Sequence, residues 1–367
     1  MIRKINYLAI EKKEDAKRVV DIWISELKNM IKTGSYNISD VNINNLEKLL
    51  MEWKFFNKKV IIYELLGDLY SEIGDINREY TYYLKSLENY FITNRNDSYV
   101  IINKIVVNSI KTEKYDQAIN FSNLIVPLSK DIPKEYKGKV CYNRALSFKK
   151  LEKYERALKE INLAESYAYE IDYDEMKKFL MLKANCYIKL HRYFDALETY
   201  RQVLWILEYM NNYDEKCAIY LNIIDIYKDK GDKEKISEYI NKAVNLLPNI
   251  SKESYYLKYI YLELGYIYKY LKKYNLTEKY FKKAFEIYPN DIEVISKLLD
   301  FYLEVNNDKE IFTLSENLFN SKKEDILNEN QNFNKILSLY LENDYIKESK
   351  DLLNKMIKGD RMNEKNN

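Results

Sequence analysis

One short phrase recurs along this chain at a fixed interval. It reads EKYDQAI over 113–119, EKYERAL over 152–158 and HRYFDAL over 191–197, each copy 39 residues from the next. In every copy an aromatic is followed three residues later by alanine, and then by an aliphatic side chain. Recurrence at a constant period marks an array of stacked units, in which each unit buries its apolar face only against its neighbours.

A longer pattern surrounds the phrase. Its clearest copy is YIYLELGYIYKYLKKYNLTEKYFKKAFEIYPND, 259–291. Tyr261, Leu264, Gly265 and Tyr268 fall at i, i+3, i+4 and i+7, one stripe of a helix. After a short break, Tyr274, Thr277, Phe281 and Ala284 make a second stripe, and Pro289 closes the unit. With this register, units begin near 60, 99, 138, 177, 217, 258, 292 and 330. The first carries Leu66, Gly67 and Tyr70; the third carries Ala145, Phe148, Tyr154, Ala157 and Ala164. The fourth has Ala184, Tyr187, Tyr193, Ala196 and Tyr200, and the fifth has Tyr227, Ala243 and Pro248. The second keeps Tyr115 and Ala118 with Val106 at the small position. The last two are degenerate, with Leu299 and Leu337 there. Only 7 Gly and 4 Pro in 367 residues agree with a helical array and disfavour a turn-rich sheet fold.

The order aromatic, Leu-Gly, Tyr, small, Phe, Ala, Pro over two helices resembles the tetratricopeptide repeat. The resemblance covers about 300 residues and implies an all-α, right-handed solenoid of about eight helix pairs. The small residues have a steric role. Antiparallel helices about 8–10 Å apart need gaps where a neighbour's aromatic can enter. Gly67, Ala145, Ala184 and Gly265 supply them on first helices, Ala157 and Ala196 on second helices. Gly74, Gly231 and Asn306 occupy the turn between helices, where a left-handed backbone is useful. His191 takes the same place and is expected to be an exposed turn residue. Most spacings are 39–41 residues, not the usual 34, and the added residues are expected to lengthen each hairpin by about 7 Å. Units of this length resemble those of bacterial intracellular peptide receptors, the Rap phosphatases and their relatives in the RRNPP group.

Residues 1–59 lie outside the register. EDAKRVVDIWISELKNMIKTG (14–34) predicts an amphipathic helix with Val19, Ile22, Trp23, Leu27 and Ile31 along one side, ended by Gly34. SDVNINNLEKLLMEWKFF (39–56) predicts a second helix capped by Ser39 or Asp40. A solenoid needs its first apolar edge covered, so this segment is expected to be a helical cap or small bundle before an array over 60–357. The other reading is a DNA-binding element. Twelve Lys/Arg against eight Asp/Glu give it only +4, and the tight turn of a helix-turn-helix is absent. The Rap resemblance implies an N-terminal bundle of this kind. Phosphatases of that group position water with a glutamine in the bundle, and 1–59 contain none. The polar tail 358–367 is expected to fray.

Stacked pairs present their first helices along a concave groove. The side chains expected to face it are Asn103, Lys104, Tyr142, Asn143, Asn185, Asn222, Asp225, Tyr259, Glu263 and Tyr266. An asparagine amide both donates to and accepts from a peptide backbone, whatever the peptide's sequence. The resemblance implies an extended peptide held by such a ladder of amides, and with it signalling of the quorum-sensing kind. Asparagine enrichment throughout this Asn-, Lys-, Ile- and Tyr-rich chain gives the same residues without any ligand. A passive protein–protein scaffold using the same groove is the alternative function.

Chemistry-bearing motifs are missing. There is no G-x-S-x-G, no glycine-rich phosphate loop and no H-E-x-x-H. Acid pairs such as Glu113/Asp116 and Asp229/Asp232 fall in turns, where solvated carboxylates are ordinary. No enzymatic activity and no cofactor are expected. Cys141, Cys186 and Cys217 are widely spaced, and one histidine cannot complete a metal set, so the thiols are expected to be free and buried in a reducing cytoplasm. A net charge of +2 with both signs mixed makes no electrostatic case for nucleic acid or a membrane surface. No apolar run of signal-peptide or membrane-spanning length occurs. The expected partner is a peptide or protein segment.

Overall fold

The computed structural model describes residues 10–36, 40–93, 97–125, 132–167, 172–289, 291–311, 313, 314, 338 and 341. Among the described residues are fifteen α-helices and no strand. The chain forms two compact units, Met1–Val203 and Leu204–Asn367.

The first unit opens with α1 (Lys13–Thr33) and α2 (Asp40–Glu52). Antiparallel pairs follow: α3 (Phe56–Ile73) with α4 (Ile76–Thr93), α5 (Ser98–Lys111) with α6 (Tyr115–Asn123), and α7 (Lys134–Lys150) with α8 (Tyr154–Tyr167). Next come α9 (Tyr173–Lys189) and α10 (Tyr193–Tyr209), the latter running past Val203. The second unit pairs α11 (Tyr213–Asp229) with α12 (Lys233–Leu246) and α13 (Leu257–Tyr270) with α14 (Tyr274–Ile287), then adds α15 (Ile292–Glu304). Pro248 sits in a 3-10 turn, Leu247–Asn249, that ends the α11/α12 pair.

One turn geometry follows the first helix of each described repeat. One or two residues past the first helix the backbone turns left-handed: Gly74 (φ 82°), Glu113 (59°), Glu152 (59°), His191 (55°), Gly231 (70°), Lys272 (58°) and Asn306 (54°). The next N–H then reaches back five residues to a carbonyl: Asp75 to Tyr70 (3.0 Å), Lys153 to Phe148 (2.8 Å), Arg192 to Tyr187 (2.8 Å) and Lys273 to Tyr268 (2.9 Å). This is the helix-ending bond of a Schellman motif, which satisfies carbonyls the helix leaves open. The repeat's tyrosine thus packs with its ring and closes the helix with its backbone. These seven residues measure the period directly, at 39, 39, 39, 40, 41 and 34 residues.

The small positions are buried as the steric argument requires. Ala145, Ala157, Ala184 and Ala196 have no exposure, and neither do Leu66 or Leu264. Between α3 and α4 the ring of Tyr83 lies over Gly67, and between α13 and α14 the ring of Phe281 lies over Gly265. A Cβ at either glycine would stand 2.3 Å from ring carbon. Successive apolar clusters fill each unit. In the first, Trp23, Leu46 and Leu66 belong to one, Tyr83, Ile105 and Val140 to the next, and Ala157, Ile161 and Phe179 to a third. In the second, Leu221, Ile240, Ile267 and Tyr280 join α11 to α14, and Phe281, Leu298 and Tyr302 carry the core on to α15.

Several details differ from the sequence reading. The buried stripe of α1 is Ala16, Val20, Trp23 and Leu27. Val19, Ile22 and Ile31 flank it half-buried, the first two one position off the stripe that Ala16, Val20, Trp23 and Leu27 make at helical spacing. The helix expected over 39–56 stops at Glu52. Lys54 turns left-handed (φ 53°), Phe55 N–H closes onto Leu50 O at 3.1 Å, and α3 starts at Phe56. Residues 56–59 therefore belong to the first pair rather than to the cap. Tyr274 is 44% exposed, at the mouth of its turn rather than in the second-helix stripe. The added length is shared between helices: α9 and α10 have 17 residues each against 14 each in α13 and α14, about 4.5 Å per helix. Ser39, the Asp40 side chain, Leu337, most of the unit near 330 and the tail 358–367 lie outside the described residues.

Candidate functional site

The turn residues give a common register for the first helices. Lys104, Asn143, Asn222 and Glu263 each stand nine residues before theirs, and Asn185, Asp225 and Tyr266 six before. Positions three apart share a helix face, so each of these helices presents both along one side. All ten predicted residues are half-buried or exposed; Tyr142 and Tyr266 also pack against the apolar clusters behind them. Lys297 and Asp300 hold the corresponding places on α15, counted from Asn306. Neither is among the ten residues expected from the sequence, although Asn306 marks the same turn after α15.

In the first unit the face is tied together from helix to helix. Asn143 Nδ2 donates to Asn103 Oδ1 at 3.0 Å, an amide-to-amide bond between α7 and α5. Lys104 donates to Glu64 Oε1 (2.8 Å) and to both Asp68 oxygens (2.7 and 2.8 Å) on α3, while Tyr83 OH donates to Asp68 at 2.8 Å. Burial works against the Lys104 charge, but Asp68 and Glu64 outweigh it and hold the pKa above the usual lysine value. Its ammonium is thus compensated within the array. The Tyr142 ring meets Phe179 of α9 at 5.2 Å, and burial raises its hydroxyl pKa.

In the second unit Tyr259 OH donates to Asn222 Oδ1 at 3.1 Å, joining α13 to α11. Asp225 accepts from Lys228 one turn along its own helix at 2.9 Å. Tyr266 sets its ring edge-on to Phe281 at 5.4 Å, and Lys297 Nζ lies 5.9 Å from the Tyr266 centroid. Burial, with Asp225 next in effect, holds the Glu263 carboxyl above the usual carboxylate range.

Other polar groups read as structural. Arg144 Nη2 pairs with Glu160 Oε1 at 2.9 Å inside the α7/α8 hairpin, beside Cys141. Burial first, and then Glu160, pushes the Cys141 thiol up to about 11. All three cysteines are unbridged; Cys186 and Cys217 are buried and Cys141 half-buried. Asp232 caps α12 by accepting from Lys235 N–H, and His191 Nδ1 lies 3.1 Å from Tyr193 OH on its exposed turn. Among the described residues no group of three His, Cys, Asp or Glu side chains could hold a metal ion, and no helix is long and apolar enough to cross a membrane.

Paired helices on one turn motif, with small residues under aromatic rings, define a helical-hairpin repeat protein whose first helices offer polar side chains in register. The chain carries two tetratricopeptide repeats: that repeat's sequence profile matches residues 218–250 and 259–291, the α11/α12 and α13/α14 pairs. Its layout resembles that of RapI. The apo structure of RapI superposes with a TM-score of 0.58 at 15% identity, over 95% of this chain and 99% of that one. A signal-transduction ATPase with a tetratricopeptide repeat sensor from Pyrococcus horikoshii gives 0.51 at 15% identity, over 91% of this chain and 49% of that one. This chain thus spans about half of the archaeal protein. At such identities the likeness is one of fold. No curated protein matches the sequence.

Proposed function

We propose that the chain is a peptide-binding regulator. Each compact unit holds extended peptide on its own first-helix face, through hydrogen bonds from the peptide backbone to Asn143 and Asn185 in the first unit and to Asn222 in the second. Tyr142, Tyr259 and Tyr266 supply apolar walls, and Lys104 acts indirectly by fixing α5 on α3. The observation that supports this most is the pair of bonds Asn143–Asn103 and Tyr259–Asn222, which bring polar groups one repeat apart within 3.1 Å of each other. Amides so spaced can exchange a bond between repeats for bonds to a peptide backbone at little net cost. Within each unit that exchange would loosen neighbouring first helices and alter the pitch of the stack, a route to changing the surface shown to a second partner.

A random hexapeptide library passed over the immobilised full chain tests the reading. Retained peptides are expected, with retention reduced in Asn143→Ala and in Asn222→Ala. Retention unchanged in both variants would place the binding elsewhere. Small-angle scattering with and without a retained peptide then separates a switch from a passive scaffold, which should not change its dimensions.

A further inference from the structure

An open cleft of about 610 Å3 lies between α2 and α3, lined by Asn44, Glu47, Lys48, Met51, Lys59 and Tyr63. That is the size of a small-molecule site. Asn44, Lys48 and Met51 recur at i, i+4 and i+7 as an exposed stripe of α2. Lys59 and Tyr63 stand fifteen and eleven residues before the turn at Gly74, off the register of the proposed peptide face.

The charges of the cleft do not balance. Glu47 is taken up by Lys85 of α4 at 2.8 Å, which leaves Lys48 and Lys59. Neither makes an ion pair among the described residues. Lys48 is exposed, whereas Lys59 is half-buried and its ammonium meets weak acceptors: Met51 Sδ at 3.0 Å and the Tyr63 ring, 5.5 Å to its centroid. A thioether accepts hydrogen bonds poorly, and an ammonium drawn partly out of water gains far more from an oxyanion. Met51, 58% exposed, adds an apolar wall beside the cations.

We infer that this cleft binds a small organic oxyanion, with its charge held by Lys48 and Lys59 and its apolar part against Met51 and Tyr63. Carboxylates and phosphate esters share that chemistry. The inference does not rest on the peptide-binding reading, and its failure would leave that reading as it stands.

Phthalate and phenyl phosphate, each with its negative charge on one aromatic ring, are titrated into full chain labelled with methyl-13C methionine. The Met51 signal, assigned through Met51→Leu, reports on the cleft. A saturable shift of that signal is expected, with affinity reduced about tenfold or more in Lys59→Gln and unchanged in Lys159→Gln, a control on the exposed side of α8. Tighter binding of phthalate or of phenyl phosphate then tells which oxyanion the cleft prefers. No saturable shift at Met51, an affinity unchanged in Lys59→Gln, or equal weakening in Lys159→Gln overturns the inference, the last as general attraction to a lysine-rich surface. Should the circular dichroism spectrum of Lys59→Gln differ from wild type, Lys48→Gln on the exposed stripe of α2 provides the same comparison.

Discussion

A Cβ added to Gly67 would meet the Tyr83 ring at 2.3 Å, a distance no relaxed structure holds. Tyr83 is almost wholly buried and its hydroxyl is anchored to Asp68, so the ring cannot swing aside without breaking that bond. Gly67→Ala is therefore expected to destabilise the chain by about 1–3 kcal/mol, the usual range for overpacking. Urea denaturation checks this. Pairing it with Tyr83→Ala should give a loss smaller than the sum of the single losses, because the clash is then gone.

The same argument applies to the second helices. Ala157 is fully buried among Ala145, Phe148 and Phe179. Ala157→Leu is expected to cost about 1–3 kcal/mol. An unchanged denaturation midpoint would show that the small position has room to spare.

The turns separate backbone strain from packing. Gly231 has φ 70° and would meet nothing within 4 Å if it carried a Cβ. Gly231→Ala should then cost only about 1 kcal/mol, from the left-handed backbone alone. At Glu152, whose φ of 59° already bears that strain, Glu152→Gly is expected to be neutral or stabilising by up to about 1 kcal/mol. Thermal melts of the two variants should shift in opposite directions, or only the first should shift.

Glu263 makes stability depend on pH in a defined direction. Its folded pKa is raised, so the folded chain binds this proton more tightly than the unfolded chain does. Ionisation in the fold is then a cost that is fully present above the folded pKa and vanishes below the unfolded value of about 4.3. Glu263→Gln should raise the urea midpoint at neutral pH, and the gain should fade as the pH drops below that value. A gain of equal size at both ends would mean that the charge is not the cause.

The helical stack was legible from particular residues. Gly67, Ala145, Ala184 and Gly265 mark where helices approach, and Gly74, Gly231 and Asn306 mark the turns, because these sites tolerate few side chains. Glu113, Glu152 and Lys272 take the same left-handed turn without a glycine signal, and only the period exposes them. The apolar stripe of α1 was misplaced because alanine carries little hydropathy, yet Ala16 is buried with Val20, Trp23 and Leu27. The candidate face was legible less directly. Periodicity placed Asn143 and Asn222 on one side of their helices, but pairing is a property of neighbouring repeats. That Lys104 is taken up by Asp68 and Glu64 depends on side chains 36–40 residues away.

Photo-crosslinking from the first-helix face is the most direct test of the account. Benzoylphenylalanine is placed at Asn143 or at Asn222, and for comparison at the exposed Lys159 on α8, in full chain carrying a library-selected peptide. Crosslinks to the peptide are expected from Asn143 and Asn222 and not from Lys159. Crosslinks from Lys159 alone would contradict the proposed site.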